Sequence, residues 1–580
     1  MNNRYITLPL LLVTLFSCNK KETPRENLEF TREETDYTAS HEDEKARHIQ
    51  FTDITAEAGI AFTHYTGAFG EKWMPETVGS GGGFLDYDND GWVDIFLANG
   101  TDWPGHPMTT DRPTPGLFRN RGDGTFEDVT QKAGLGFSIY GMGVSFADFD
   151  ADGDLDIYMT AVGDNKLLQN NKGVFKDVTT AMKVTGNDPD HSHPAWSTGV
   201  AWVDVDRDGW LDLFVNNYVQ WTSETDIYVT RDGKTKSYAT PEVYEGESCR
   251  LYKNMGGKYF EDITEKAGVM NNDGKSLGVA IADFNDDLWP DIVVSNDTQP
   301  NFLYINNGDG TFANKAIVAG VGYDETGRAR AGMGIDVADI DNNGNMAIAI
   351  GNFSQEPISL YKQLDDVVLF QDRAGAARLT RTSLQPLTFG VHFMDIDLDG
   401  YLDLITANGH IEPEINAVQQ NITFKQKPQV FHNNQGRFTD ISDQVGIPFS
   451  EAIVGRGISS ADIDKDGDQD VLITANGGTP KLLRNDSDKT HKSIRIELKG
   501  QKPNLQAIGA KVMVWINGYC QLRMVRTGSS FLSQSDISAL IVGIGSNAKA
   551  DSVIVHWPVS GNTSKAENVA AGETLILKEE

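Results

Sequence analysis

The sequence predicts an all-β protein: a seven-bladed β-propeller followed by a small C-terminal β domain. Three observations carry that expectation. An aspartate-rich phrase recurs seven times, a glycine stands five residues ahead of every copy, and a hairpin phrase follows most of them.

The first positions of the seven phrases are Asp86, Asp148, Asp204, Asp283, Asp339, Asp395 and Asp462. Each phrase is a tight loop with carboxylates at alternate positions 1, 3 and 5, glycine at 6 and a further carboxylate at 9. Alternate side chains of a turning loop supply the several oxygen ligands that a hard cation takes, and position 7 can add a carbonyl. Two carboxylates about 5 Å apart repel by roughly 3 kcal/mol at an effective dielectric of about 20, so four in one loop call for a counterion. Calcium is the expected ion.

Five loops are complete: Asp86, Asp88, Asp90, Asp94; Asp148, Asp150, Asp152, Asp156; Asp204, Asp206, Asp208, Asp212; Asp395, Asp397, Asp399, Asp403; and Asp462, Asp464, Asp466, Asp470. The fourth, Asp283, Asn285, Asp287 and Asp291, has Leu288 where glycine belongs, so its turn is expected to be strained or differently shaped and its site weaker. The fifth, Asp339, Asp341 and Asn343, has Ala347 at position 9 and too few carboxylates to expect an ion. That gives about five to six structural calcium sites.

The glycines ahead of the loops are Gly81, Gly143, Gly199, Gly278, Gly334, Gly390 and Gly457, and such regularity implies a repeated close backbone approach. Between glycine and loop the sequence alternates, as in Val200 and Trp202, and after the loop comes a short apolar run such as Leu213, Phe214 and Val215. Both read as strands. Strand flanks exclude an EF-hand, as does position 12, occupied by Leu97, Met159, Val215, Val294, Ile350, Thr406 and Ile473.

The hairpin phrase, as in LFRNRGDGTFEDVT from Leu117 or LYKNMGGKYFEDIT from Leu251, adds two strands joined by an Asn/Gly/Asp turn. Each unit is then four strands, and seven such units make a propeller. The last unit stops at Leu482-Leu483-Arg484-Asn485-Asp486 without its outer strand, whereas Phe51-Thr52-Asp53-Ile54-Thr55 has no partner of its own. The N-terminal strand is expected to complete the last blade.

Residues 1–17 carry one basic residue, Arg4, and an apolar core from Ile6 to Phe16 too short to span a bilayer, which reads as an export signal. Leu15-Phe16-Ser17-Cys18 resembles a bacterial lipobox, and that resemblance implies cleavage before Cys18 and lipid on its thiol. Residues 18–48 are charged and poor in core residues, a disordered tether of roughly 30 Å. Placement in the bacterial cell envelope follows, at the outer membrane, held by the lipid alone. A net charge of −33 and a pI near 4.6 argue against nucleic acid. Beyond Cys18 only Cys249 and Cys520 remain, in separate regions, so calcium rather than a disulfide is the expected staple.

The repeats over residues 49–486 resemble the FG-GAP or VCBS propellers, related to the integrin α head and to cartilage acidic protein. Residues 490–580, with Gly509-Ala510-Lys511-Val512, RTGSSFLSQSD from Arg526 and VIVHWPVSGNTSK from Val553, resemble the ASPIC/UnbV domain that accompanies such propellers. Its alternation, as in Ile494, Ile496 and Leu498, suggests a small β domain.

Segments joining each outer strand to the next inner strand gather on one face of the ring. They hold His64, Trp73, Glu76, Tyr140, His191, His193, Trp196, Arg328 and Arg330, which could stack on a sugar or clasp an acidic peptide. An insertion from about Thr222 to Glu247 lengthens the third unit for no reason visible in the sequence. A noncatalytic, calcium-dependent binding or adhesion module for a glycan or protein ligand is the expected function. An exported polysaccharide lyase or hydrolase is the alternative, with no G-x-S-x-G or H-E-x-x-H motif in its favour.

Overall fold

The structure, a computed structural model, describes residues 48–106, 112–187, 193–231, 233–364 and 367–580. Cys18, the leader and nearly all of the tether lie outside the described residues, as does His191. Among the described residues helices are single turns, such as Thr179–Met182 and Ala316–Ala319, and none is long and apolar enough to cross a membrane.

Seven sheets follow one another along the chain, each antiparallel in the order inner, second, third and outer strand. The inner strands are Gly82–Leu85, Gly141–Ala147, Ser197–Val203, Ser276–Ala282, Gly332–Ala338, Thr388–Met394 and Gly455–Ala461. Each lies beside the inner strand of the next sheet, and Gly455–Ala461 returns to Gly82–Leu85, which closes the ring into a propeller. The outer strand of the last sheet is Phe51–Asp53, paired antiparallel with Lys481–Asn485 in the register Phe51 to Asn485. The expected closure by the N-terminal strand is thus what the chain does.

The inner strands are buried almost along their whole length, because each is covered by its neighbours on both sides and by a segment inside the ring. At the fixed glycines there is no room for a side chain. A Cβ on Gly143 would stand 2.6 Å from the carbonyl of Thr198, one on Gly199 2.5 Å from that of Leu277, and one on Gly390 2.5 Å from that of Arg456. The ladder also shifts register next to this glycine in six of the seven inner strands, as between Gly141 and Val144. Such bulges bend the strand toward its neighbour.

The C-terminal residues form two sheets, Leu540–Gly545, Lys492–Lys499 and Thr574–Lys578 in one, and Tyr519–Met524, Lys511–Ile516, Lys549–His556 and Thr563–Ala570 in the other. Their apolar faces, with Ile494, Val512, Val514, Val542, Val553 and Trp557, share one core with Phe146, Phe149 and Trp202 of the propeller. This domain covers the acidic-loop end of the ring: Lys502 donates to the carbonyl of Ala151 at 2.8 Å, and the amide of Gly545 to that of Leu398 at 2.8 Å.

From the same domain the segment Arg526 to Asp536 enters the ring as a finger. Thr527 bonds Trp202, Ser530 accepts from Ile335 and Ile458, and Ser533–Gln534 adds a short parallel strand to Gly82–Gly83. The side chain of Gln534 bonds both Ser145 and Phe146. The sequence Arg526 to Asp536, which carries the resemblance to the ASPIC/UnbV domain, is therefore the filling of the channel. Cys249 and Cys520 are both free thiols.

Candidate functional site

The acidic loops share one scaffold. The first carboxylate accepts the amides of positions 5 and 6, as Asp148 does from Asp152 at 3.1 Å and Gly153 at 2.9 Å. The carboxylate at position 9 accepts the amide of position 2 on one oxygen and that of a third-strand residue on the other. Asp156 takes Phe149 and Asn170, and Asp212 takes Val205 and Asn254. Positions 1 and 9 thus shape the turn, and the carboxylates at 3 and 5 project from it.

Two residues per loop sit in left-handed backbone. Position 6 is glycine in six loops, with φ of 84° at Gly91 and 103° at Gly153, and position 4 is a non-glycine, as at Asn89 (57°), Ala151 (59°) and Arg207 (57°). Leu288 adopts φ 68° and its amide bonds Asp283 at 3.0 Å, as the glycines do at the same place. The fourth turn keeps its shape and bears the strain of a branched side chain there.

Ligand atoms of Asp86, Asp88 and Asp90, of Asp148, Asp150 and Asp156, of Asp204, Asp206 and Asp212, and of Asp395, Asp397 and Asp403 lie within 4.8 Å of one another. Burial raises Asp86 and Asp148 to about 6, Asp204 to about 7 and Asp94 to about 8, with backbone donors opposing and neighbouring carboxylates adding to the rise. One oxygen each of Asp150, Asp206 and Asp395 is buried with no hydrogen-bond partner. Oxygen donors, clustered and left over, suit a hard divalent cation, which holds such carboxylates ionised.

Third-strand residues that the sequence reading passed over complete these loops. Asn120, Asn170, Asn254, Asn306, Asn433 and Asn485 each bond a carbonyl of the preceding sheet's loop, as Asn170 does that of Tyr87 at 2.8 Å. The signal was present, since an asparagine recurs at one place in nearly every hairpin phrase. The residue before it leans over the carboxylates: Arg119 on Asp88 and Asp90, Gln169 on Asp150, Lys253 on Asp206 and Asp208, Lys362 on Asp341, and His432 at 3.6 Å from Asp397. In the fourth loop the place is taken by Ile305, and the cation comes from the C-terminal domain instead: Lys511 bonds Asp283 and Asp286. In the seventh, Arg495 reaches Asp462 at 3.3 Å and Lys489 bonds Asp466 and Asp468.

At the other end of the ring the expectation of an exposed aromatic face is not met. Trp73, Tyr140 and Trp196 are buried, packed with Trp103, Tyr218, Trp221 and, from the finger, Phe531 and Leu532. Trp103 stacks on Tyr140 at 4.1 Å between centroids and Trp73 meets Trp103 edge-on at 5.2 Å. The physical reason is that a ring of inner strands leaves a channel whose mouth must be filled, and large rings fill it. His64 is buried too; its Nδ1 accepts the amide of Gly477, and burial depresses its pKa to about 3. Arg330 is committed to Asp324 and Asp372, whereas Arg328 is exposed and His193 partly so.

Glu76 is the exception among these. One of its oxygens accepts the Tyr238 hydroxyl at 2.8 Å and the other is buried with no partner; burial raises its pKa to about 7. Tyr238 belongs to the insertion in the third unit, whose residues Ala239 and Tyr244 cap the mouth with the preceding Trp221, and the amide of Tyr238 donates to Glu412, itself paired with Lys72 at 2.6 Å. Glu76 and Tyr238 line a groove of about 430 Å³ with Thr66, Phe424, Asn476 and Lys481.

Residues 86–159, 150–215 and 283–350 match the FG-GAP-like repeat family, and residues 500–580 match the family of ASPIC and UnbV. Human cartilage acidic protein 1 is 24% identical over 527 residues, covering 86% of this chain and 71% of that protein, and the Xenopus tropicalis protein of the same name is 23% identical, covering 72% and 70%. Among solved structures, that of an Agrocybe aegerita lectin recognising non-reducing terminal N-acetylglucosamine is 17% identical with a TM-score of 0.37, covering 63% of this chain and 79% of that one. The chain thus carries FG-GAP-like repeats in an all-β, propeller-like body, ends in an ASPIC and UnbV domain, and is similar over most of its length to cartilage acidic protein 1.

Proposed function

We propose that the protein is a calcium-binding propeller lipoprotein of the bacterial cell envelope that serves, at the channel mouth, as a binding module for a glycan or protein ligand. Calcium sits in loops one, two, three, six and seven. The buried Oδ1 atoms of Asp150, Asp206 and Asp395, each left without a hydrogen-bond partner, support this, since an unsatisfied oxygen is costly in a folded interior. Cys18 carries the lipid, and the ring is held off the membrane by the charged tether.

The observation that carries the binding reading is the groove at Glu76. It is large enough for one or two sugar rings, walled by Ile411, Phe424, Ile453 and Val454, and edged by a carboxylate, a tyrosine, an asparagine and a lysine. Such a mixture of flat apolar surface and convergent polar groups is what ligand pockets offer. A glycan array probed with the calcium-loaded protein tests it: retention of defined glycans, weakened by Glu76→Gln and without turnover, is the expected result, and no retention of any glycan or envelope protein would sink it.

A second reading rests on the same groove. Glu76, whose pKa burial raises to about 7, and Glu412, paired with Lys72, both bond Tyr238, and a pair of neighbouring carboxyl groups, one of them raised by burial, is what a glycosidase uses. Release of reducing ends from a retained glycan would establish this enzyme in place of the binding module.

A further inference from the structure

Where the finger leaves the ring, three consecutive inner strands bring together an aspartate, a histidine and a serine. His392 Nδ1 lies 3.0 Å from Asp336 Oδ2, and His392 Nε2 lies 2.9 Å from Ser460 Oγ. With Nδ1–H donating to the carboxylate, Nε2 is the acceptor for the serine hydroxyl. Asp336 also accepts the amides of Val337 and Phe393 and pairs with Arg526 of the finger at 2.5 Å, which fix it as a carboxylate. Gln469 donates its amide to Ser460 Oγ at 3.0 Å. The hydroxyl of Ser535 is farther from His392 Nε2, at 3.5 Å.

The repeat supplies its own control. Two residues after the fixed glycine the other sheets have Gly83, Ser145, Ala201, Ala280 and Ser459, all small, but the fifth and sixth have Asp336 and His392. Three residues after it six sheets have Phe84, Phe146, Trp202, Ile281, Val337 and Phe393, all apolar, but the seventh has Ser460. Three departures from a sevenfold pattern thus fall in adjacent strands and touch one another. A buried Asp–His–Ser chain is not needed to close the ring, since four other sheets do so with small residues alone.

The group borders a cavity of about 140 Å³ between the propeller and the C-terminal domain, lined by His392, Ser460, Gln469 and Ser535, by Arg523, Arg526 and Asp536 at its polar side, and by apolar side chains including Met346, Leu522, Leu540 and Ile541. We propose that Ser460 is a nucleophile, His392 its general base and Asp336 the residue that positions His392, and that the site cleaves esters of small apolar acyl groups. Ser460 Oγ bonds the acyl carbon while its proton passes to His392 Nε2; the ester C–O bond breaks and the alkoxide leaves with that proton. Water, deprotonated by His392, then releases the acid and restores the serine. Gln469, whose side-chain amide already bonds Ser460 Oγ, is placed to donate to the oxyanion formed at each addition. Triads are defined by such geometry and not by chain order or motif.

The test is covalent labelling of the full-length, folded protein with a fluorophosphonate, in which a Ser–O–P bond replaces P–F, followed by peptide mapping and p-nitrophenyl acetate turnover. One adduct at Ser460, with turnover lost in proportion, is expected. Ser460→Ala abolishes labelling, His392→Gln slows it at least 100-fold, Asp336→Asn slows it while Ser460 stays the labelled residue, and Ser535→Ala labels at the wild-type rate. Absence of an adduct on folded wild type, an adduct at Ser535, or an unchanged rate in folded His392→Gln would each overturn the proposal. If a variant fails to fold, the wild-type adduct position and its match to lost turnover still decide.

Discussion

Lys511 of the C-terminal domain places its ammonium 2.9 Å from Asp283, the first carboxylate of the fourth loop, with both side chains buried. The loop whose glycine is replaced by Leu288 is thus also one to which the C-terminal domain brings a positive charge. An ammonium at this position competes with a metal ion for the same oxygens. Lys511→Met is therefore expected to leave Asp283 without a counter-charge and cost about 3–5 kcal/mol in calcium-free buffer. Calorimetric titration should then count one more calcium ion than in the wild type. An equal count in both proteins would show that Lys511 does not decide whether this loop takes metal.

Removal of calcium from the wild type is expected to lower the melting temperature substantially. Each site adds about 2.7 kcal/mol when calcium stands at 100 times its dissociation constant and the unfolded chain binds none. Asp206→Ala, which deletes one unpartnered buried oxygen, should lower the melting temperature in calcium by a fraction of the chelator's effect and hardly at all in chelator. A melting curve indifferent to chelator in the wild type would mean that the lysines and arginines leaning over the loops already neutralise them.

Gly390→Ala tests why the glycine recurs. Its Cβ would stand 2.5 Å from the carbonyl of Arg456 and 3.1 Å from the Ser530 hydroxyl, so backbone on one side and the finger on the other must give way. Overpacking of this kind costs about 1–3 kcal/mol or more. Gly124, at the tip of an exposed hairpin, has nothing within 4 Å of an added Cβ. Gly124→Ala, strained only by its φ of 84°, should cost less in a denaturant titration than Gly390→Ala.

The repeats made the propeller legible, because period, fixed glycine and loop chemistry recur seven times and each copy checks the others. Blade closure by Phe51–Asp53 was legible for the same reason: a strand missing from the last unit and a spare one at the start are complementary. The channel mouth was misread. Trp73, Tyr140 and Trp196 look like recognition residues in a loop, and only the ring geometry shows that their loops converge on a space that must be filled. The finger was invisible in sequence, since its small polar residues match the channel by hydrogen bonding to inner-strand backbone and not by hydrophobic pattern. The Asp336–His392–Ser460 contact was hidden differently: its members stand 56 and 68 residues apart, and only aligned repeats mark them as exceptions.

Phe531 at the tip of the finger ties the C-terminal domain to the mouth. Its ring is fully buried, 4.9 Å between centroids from Phe389, and joins the aromatic cluster around Trp73. Phe531→Ala should cost about 3–5 kcal/mol, the usual range for truncating a buried phenylalanine. Because that energy links two parts of the chain, the variant should also unfold in two separated calorimetric steps in place of one. A single transition shifted as a whole would show that the shared core around Phe146, Trp202 and Val512 suffices to couple them.

Glu76 carries a pH dependence of definite sign. Burial raises its pKa to about 7, so the folded state favours the protonated form and the carboxyl destabilises the fold increasingly as pH rises from about 4.5 through 7. Glu76→Gln keeps an oxygen for the Tyr238 hydroxyl and removes the charge. The variant should match the wild type near pH 4 and exceed it above pH 7.5, by at most about 3 kcal/mol on a scale of about 1.36 kcal/mol per unit. Buried His64 and His410, each depressed to about 3, act oppositely and cost stability as pH falls below about 6.5. They do so in both proteins, so the difference between the two melting curves isolates Glu76. A difference that stays constant from pH 4 to 8 would show that Glu76 is ionised throughout, with a cation or ligand at the groove supplying the missing partner.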